Sequence, residues 1–126
     1  MKVVVRAKAL ALYSIKKTDN GQTFPKKYRF SLVNRIQDAA LDITDALLDA
    51  NDLSLADEVE RPMRFRSQRT ALRTCRKLIF LIELSHDLEL IDDKAFAYWA
   101  TQVSDVKNMT AAWYKSDTRR AGIKKQ

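Results

Sequence analysis

Apolar residues recur at steps of three and four along most of this chain, with charged residues filling the positions between. That rhythm matches the 3.6-residue turn of an α-helix and not the strict alternation of a half-buried strand. It predicts four helices. The first covers about residues 3–18, where Val3, Ala7, Leu10, Ala11 and Ser14 share a face, although the β-branched run Val3 to Val5 weakens its start. The polar stretch TDNGQT at 18–23 reads as a loop through its Asn-Gly pair. The second helix is expected to open with Pro25 at its first position, where a missing N–H removes no intrahelical bond. Its stripe of Leu32, Ile36, Ala39, Ile43, Ala46 and Ala50, widened by Val33, Ala40 and Leu47, ends near Ala50–Asn51.

An acidic connection, NDLSLADEVERP at 51–62, leads to Pro62, which should mark the third helix. That helix runs from about Met63 to His86, with Phe65, Gln68, Leu72, Cys75, Ile79, Ile82 and His86 on one seam. After a break at SHDLELID, Asp92 or Asp93 is the expected N-cap of the fourth helix. Phe96, Trp99, Val103, Val106, Thr110 and Trp113 form its seam, which fades near Ser116. The fold expected is all-α, an antiparallel up-down-up-down four-helix bundle over residues 1–116 followed by a basic C-terminal tail at 117–126.

Composition agrees with this architecture. A chain of 126 residues fits one domain and can bury a core without disulfide or metal. Gly and Pro total four residues, too few for a turn-rich sheet protein. With one cysteine, Cys75, no intrachain disulfide can form, which fits a reducing cytoplasm. There is no apolar run of about 20 residues for a membrane span, and the N-terminus reads as a helix, not a signal peptide.

The charge pattern changes the picture further. The net charge of +7 points to an anionic partner. Arg66, Arg69, Arg73 and Arg76 recur at steps of three and four, so they share a face of the third helix, with Arg64 and Lys77 beside them. Asp38, Asp42, Asp45 and Asp49 do the same on the second. The arginines are candidates for phosphate binding, because guanidinium groups about 5 Å apart can track a phosphate backbone. Equally, the two stripes can pair with each other, across helices or across a subunit boundary. Lys26 and Lys27 are secondary contact candidates, and Arg119 and Arg120, with Lys115, Lys124 and Lys125, form either a solvated tail or a nucleic-acid arm. Phe96, Trp99 and Trp113 have core spacing, while Tyr28, Phe30, Tyr98 and Tyr114 belong to a rim or interface.

No catalytic constellation, cofactor site or metal site is expected. The single histidine, His86, reads as a capping or packing residue, and Cys75 as a small buried hydrophobe. The only glycines, Gly21 and Gly122, are isolated, so no Gly-rich phosphate loop exists.

Two stretches bear a family likeness. FPKKYRFSLVNRIQDAALDI at 24–43 resembles the opening of the second helix in the four-helix bundle family that includes the accessory variability determinant of diversity-generating retroelements. Phe24, Pro25, Lys26, Arg29, Phe30, Leu32 and Ile36 stand at matching places. MTAAWYKSDTRR at 109–120 resembles that family's terminal helix, a small-small-Trp end with trailing cations. The same superfamily includes proteins encoded in insertions within 23S ribosomal RNA genes. Those tend to follow the second helix with an Asn-Ile-Ala-Glu-Gly-like segment, where this chain has DITDALLDANDLS, which favours the retroelement branch. The resemblance implies a barrel-shaped homopentamer that is not itself a polymerase. It implies binding to the element's reverse transcriptase and to RNA or DNA, supporting mutagenic cDNA synthesis and retrohoming. The alternative branch implies a structural or interaction bundle whose charges serve subunit contacts.

Overall fold

The computed structural model describes residues 1–122, and these form four α-helices with no strand among them. Helix α1 spans Lys2–Thr18, α2 Asn34–Asp52, α3 Glu60–Asp87 and α4 Asp93–Arg120. Each helix packs on its neighbour in the chain, and α1 closes the arrangement against α4. The core lies along the common axis, where Leu10, Leu32, Ile36, Ile43, Leu47, Leu78, Ile82 and Trp99 are all buried.

Local chemistry explains where the helices begin and end. Lys16 and Lys17 occupy the last turn of α1, where the helix dipole favours cations. Thr18 then ties that end to α2: its hydroxyl donates to the Ser14 carbonyl at 2.8 Å and accepts from the Gln37 amide at 2.9 Å. Phe24 in the following loop is buried, its ring edge-on to Trp99 at 6.3 Å.

The approach to α2 is not the regular helix expected. Pro25 has extended backbone and stands before the first turn, not within it. A 3-10 turn at Lys26–Tyr28 is followed by a π-helical turn at Arg29–Val33, and only then does α-geometry begin. Leu32 and Ile36 are buried along this approach and Phe30 is exposed.

Helix α3 starts ahead of Pro62, because Asp57 caps it. The Asp57 carbonyl accepts the first i→i+4 bond from Arg61, and its carboxylate accepts from Val59 and Glu60 N–H at 2.8 and 3.0 Å. Those two bonds pull the Asp57 carboxyl below the usual carboxylate range. Pro62 therefore sits inside the first turn of α3, as its third residue, where proline is tolerated. The far end of α3 closes with Leu90 N–H on the Ser85 carbonyl at 3.0 Å, and Glu89 takes the left-handed conformation at φ 63°. Asp92 then caps α4 as expected, accepting from Ala95 N–H at 2.8 Å.

Two seams differ from expectation in detail. On α3, Leu72 and Ile79 are half-buried, and Ala71, Leu78 and Ser85 are buried instead. Gln68, Cys75 and Ile82 stay inward as expected, and the second row lies one residue earlier at Ala71, Leu78 and Ser85, so the three-and-four rhythm is kept and the face turned to the core is slightly rotated. On α4, the seam continues one step past Trp113 to Asp117, which is fully buried, and the helix runs through Arg120.

Candidate nucleic-acid interface

Helix α3 holds its buried side against the core through Phe65, Gln68, Ala71, Cys75, Leu78, Ile82 and Ser85. The opposite side is therefore forced outward, and it carries Arg66, Arg69, Arg73, Arg76 and Lys77, all exposed. At 1.5 Å rise per residue, successive arginines stand about 4.5–6 Å apart along the axis. Their hydrogen bonds are weak or local: Arg69 donates to the Tyr114 hydroxyl at 3.3 Å and Arg73 to the Thr70 hydroxyl at 3.2 Å.

The aspartates of α2 do not neutralise them. Asp38, Asp42, Asp45 and Asp49 are exposed, and none forms an ion pair within 4.0 Å with any arginine of the stripe. The two sets border one seam between the helices. A groove of about 610 Å³ has Arg35, Asp38 and Asp42 on its α2 wall and Thr74, Arg76 and Lys77 on the other, with Ala39 and Leu81 at its base. Further along, Asp49 and Asp52 face Met63 and Arg66 across a second depression of about 330 Å³. The arrangement is polarised, acid beside base, and every charge keeps its head in water. Phe80, 62 % exposed, adds an aromatic ring at the edge of the basic wall.

Arg64 behaves differently from its neighbours. It turns into the lower bundle, where its Nε donates to Asp117 at 2.8 Å and its Nη1 to the Leu53 carbonyl at 2.9 Å. Its guanidinium lies 5.0 Å from the Trp113 ring centroid. Gln68 donates to the same Asp117 oxygen at 2.7 Å, while Arg120 approaches the other oxygen at 3.6 Å. Arg64 is thus a structural tie joining the end of α2 to α3 and α4, and it is not free to meet a ligand. Asp117 was legible only as the next step of the α4 seam, four residues beyond Trp113.

The remaining candidates are scattered. Lys26 and Lys27 are exposed on the 3-10 turn before α2, with the Lys27 ammonium 5.3 Å from the Tyr28 ring centroid. Arg119 and Arg120 are exposed on the last turn of α4, and Lys124 and Lys125 lie outside the described residues. His86 packs against Phe96 with ring centroids 4.8 Å apart, and its Nε2 lies 2.6 Å from the Asp93 carboxylate. Burial pushes the Cys75 thiol up to about 12; a thiolate nucleophile does not form there near neutral pH. Among the described residues no group of three or more His, Cys, Asp or Glu side chains is placed to hold a metal, and no helix is long and apolar enough to cross a membrane. Comparison with known proteins finds no matching family model, no matching curated protein and no matching solved structure.

Proposed function

We propose that this chain is a non-catalytic, polyanion-binding helical protein whose arginine stripe on α3 contacts a nucleic-acid backbone. The observation that carries this reading is the set of Arg66, Arg69, Arg73, Arg76 and Lys77, aligned, exposed and without acidic partners among the described residues. An unpaired guanidinium row costs self-repulsion and adds nothing to folding, whereas phosphate oxygens accept such groups through forked, charge-assisted bonds. The resemblance of residues 24–43 and 109–120 supplies the setting: an accessory protein of a diversity-generating retroelement in the cytoplasm. There it binds the reverse transcriptase and its RNA or DNA template during mutagenic retrohoming. In this reading the four helices run up-down-up-down and five copies form a barrel. The cross-contacts Ser14–Trp99 and Arg6–Asp105 between α1 and α4 support that topology.

The test is a titration of single-stranded RNA at about 50 and about 200 mM salt. Four or five phosphate contacts should weaken binding about 50- to 130-fold between the two. Changing Arg69 and Arg73 to Glu should abolish most of that affinity and flatten the salt slope. Binding indifferent to both salt and charge reversal removes the stripe from the interface.

A second reading is favoured by the aspartates. Asp38, Asp42, Asp45 and Asp49 match the arginine spacing and form no ion pair among the described residues, so they can meet the stripe of a second copy. Under this reading Arg69→Glu dissociates an oligomer in sedimentation before it alters any nucleic-acid affinity.

A further inference from the structure

The widest exposure of any aromatic ring in this protein is not on α3. Phe30 is 79 % exposed within the π-helical turn Arg29–Val33, while its neighbour Leu32 is buried. Lys26 and Lys27, both exposed, stand on the 3-10 turn that leads directly into it. Arg29 is adjacent, and Asn34, exposed, stands one turn on. Among the described residues none of the three cations is engaged in an ion pair, and the Lys27 ammonium lies 5.3 Å from the Tyr28 ring centroid. Three cations at the start of a helical segment oppose the helix dipole, so local stability does not account for them.

From this juxtaposition we infer that Phe30 is a stacking platform for an unpaired base of a single-stranded nucleic acid, with Lys26, Lys27 and Arg29 holding the flanking phosphates. The inference rests on the polyanion-binding reading and deepens it, adding a base-contacting element to a surface otherwise specific only for charge. A flat π-face beside cations suits single strands, whose bases are free to unstack onto aromatic side chains; a duplex keeps its bases inside. A lipid surface fits less well. Insertion needs a broad apolar face, and here Leu32 and Ile36 are buried, which leaves one ring among charges. Asn34 offers an amide that can hydrogen-bond the edge of a base held on the ring. Wide π turns recur at functional sites, and Phe30 lies within one.

The experiment compares three probes on the full chain by fluorescence anisotropy: a single strand of about 12 nucleotides, an abasic strand of the same length, and the corresponding duplex. The abasic strand keeps every phosphate and removes every π-face. Phe30→Ala should weaken binding of the base-bearing strand by about 5- to 150-fold, the range for losing one base–aromatic stack. It should leave abasic-strand binding unchanged. Phe30→Trp should keep the affinity and show emission quenching, absent from wild type, on adding the base-bearing strand. Circular dichroism checks that both variants fold, as expected for an exposed position. Equal loss on base-bearing and abasic strands, or no loss on either, overturns the stacking role. So does a change in sedimentation of Phe30→Ala without nucleic acid, which would make the ring a subunit contact. If Phe30→Ala binds as wild type while Arg69→Glu with Arg73→Glu does not, stacking falls and the polyanion reading stands. If wild type binds no strand at about 50 mM salt, both fall.

Discussion

Removing Arg64 tests whether the lower bundle depends on a dry ion pair. The Asp117 side chain is fully buried and that of Arg64 is 13 % exposed, so little water reaches the 2.8 Å contact between them. Arg64→Ala deletes three interactions at once: the bond to Asp117, the bond to the Leu53 carbonyl and the guanidinium stacked on Trp113. Asp117 keeps Gln68 at 2.7 Å and Arg120 at 3.6 Å, which partly offsets the loss. Breaking one partner of a buried pair costs about 3–5 kcal/mol, and the surviving contacts place this case near the lower end of that range. The assay is urea unfolding followed by circular dichroism at fixed protomer concentration, since oligomerisation would shift the apparent stability. A companion variant sharpens the test. Replacing Arg64, Gln68 and Asp117 together by Met, Leu and Leu removes the charges along with the polar side chains they satisfy, and leaves only the Leu53 carbonyl without its donor. It should recover most of the lost stability, because a packed apolar cluster does not carry the desolvation of an ion pair. A loss below about 1 kcal/mol for Arg64→Ala would mean the pair is effectively solvated, and the account of this end of the bundle would be wrong.

Two further outcomes follow from buried polar groups. Ser14→Ala leaves the Trp99 indole N–H, 3.0 Å from the Ser14 hydroxyl and fully buried, without an acceptor; it should cost about 1–3 kcal/mol in urea unfolding, and a cost near zero would show that water reaches the indole. The Cys75 thiol keeps its proton in the folded state to about pH 12, whereas the unfolded thiol loses it near 9.0. The unfolded state therefore binds fewer protons between those values, and stability should fall with rising pH by about 1.4 kcal/mol per unit. Cys75→Ala should lack this component when the two proteins are compared from pH 8 to pH 10.5, and parallel stability profiles would refute the buried, protonated thiol.

The sequence alone determined the four helices, because each buries one stripe and the 3.6-residue period writes that stripe into residue order. Ile36, Ile43, Trp99, Val103 and Val106 could be read inward on that ground, and Asp92 as a cap from its position after a helix break. The exposed arginine row was legible for the same reason, since residues opposite a buried stripe have nowhere to go but solvent. What residue order could not specify was anything set by distance between helices. Arg64 is one step from the stripe in sequence, yet it turns inward because Asp117, 53 positions away, waits there with a carboxylate. The aspartate and arginine rows match in spacing, yet they stay unpaired within the chain because the groove between α2 and α3 holds them apart. Phe30 was expected at a rim or interface, because a residue two positions before an inward Leu32 falls on the opposite side of a helix. Only the tertiary structure showed the tight and wide turns that stand before α2 in place of a regular helix start, since hydrogen-bond spacing in that segment is not written in the apolar pattern.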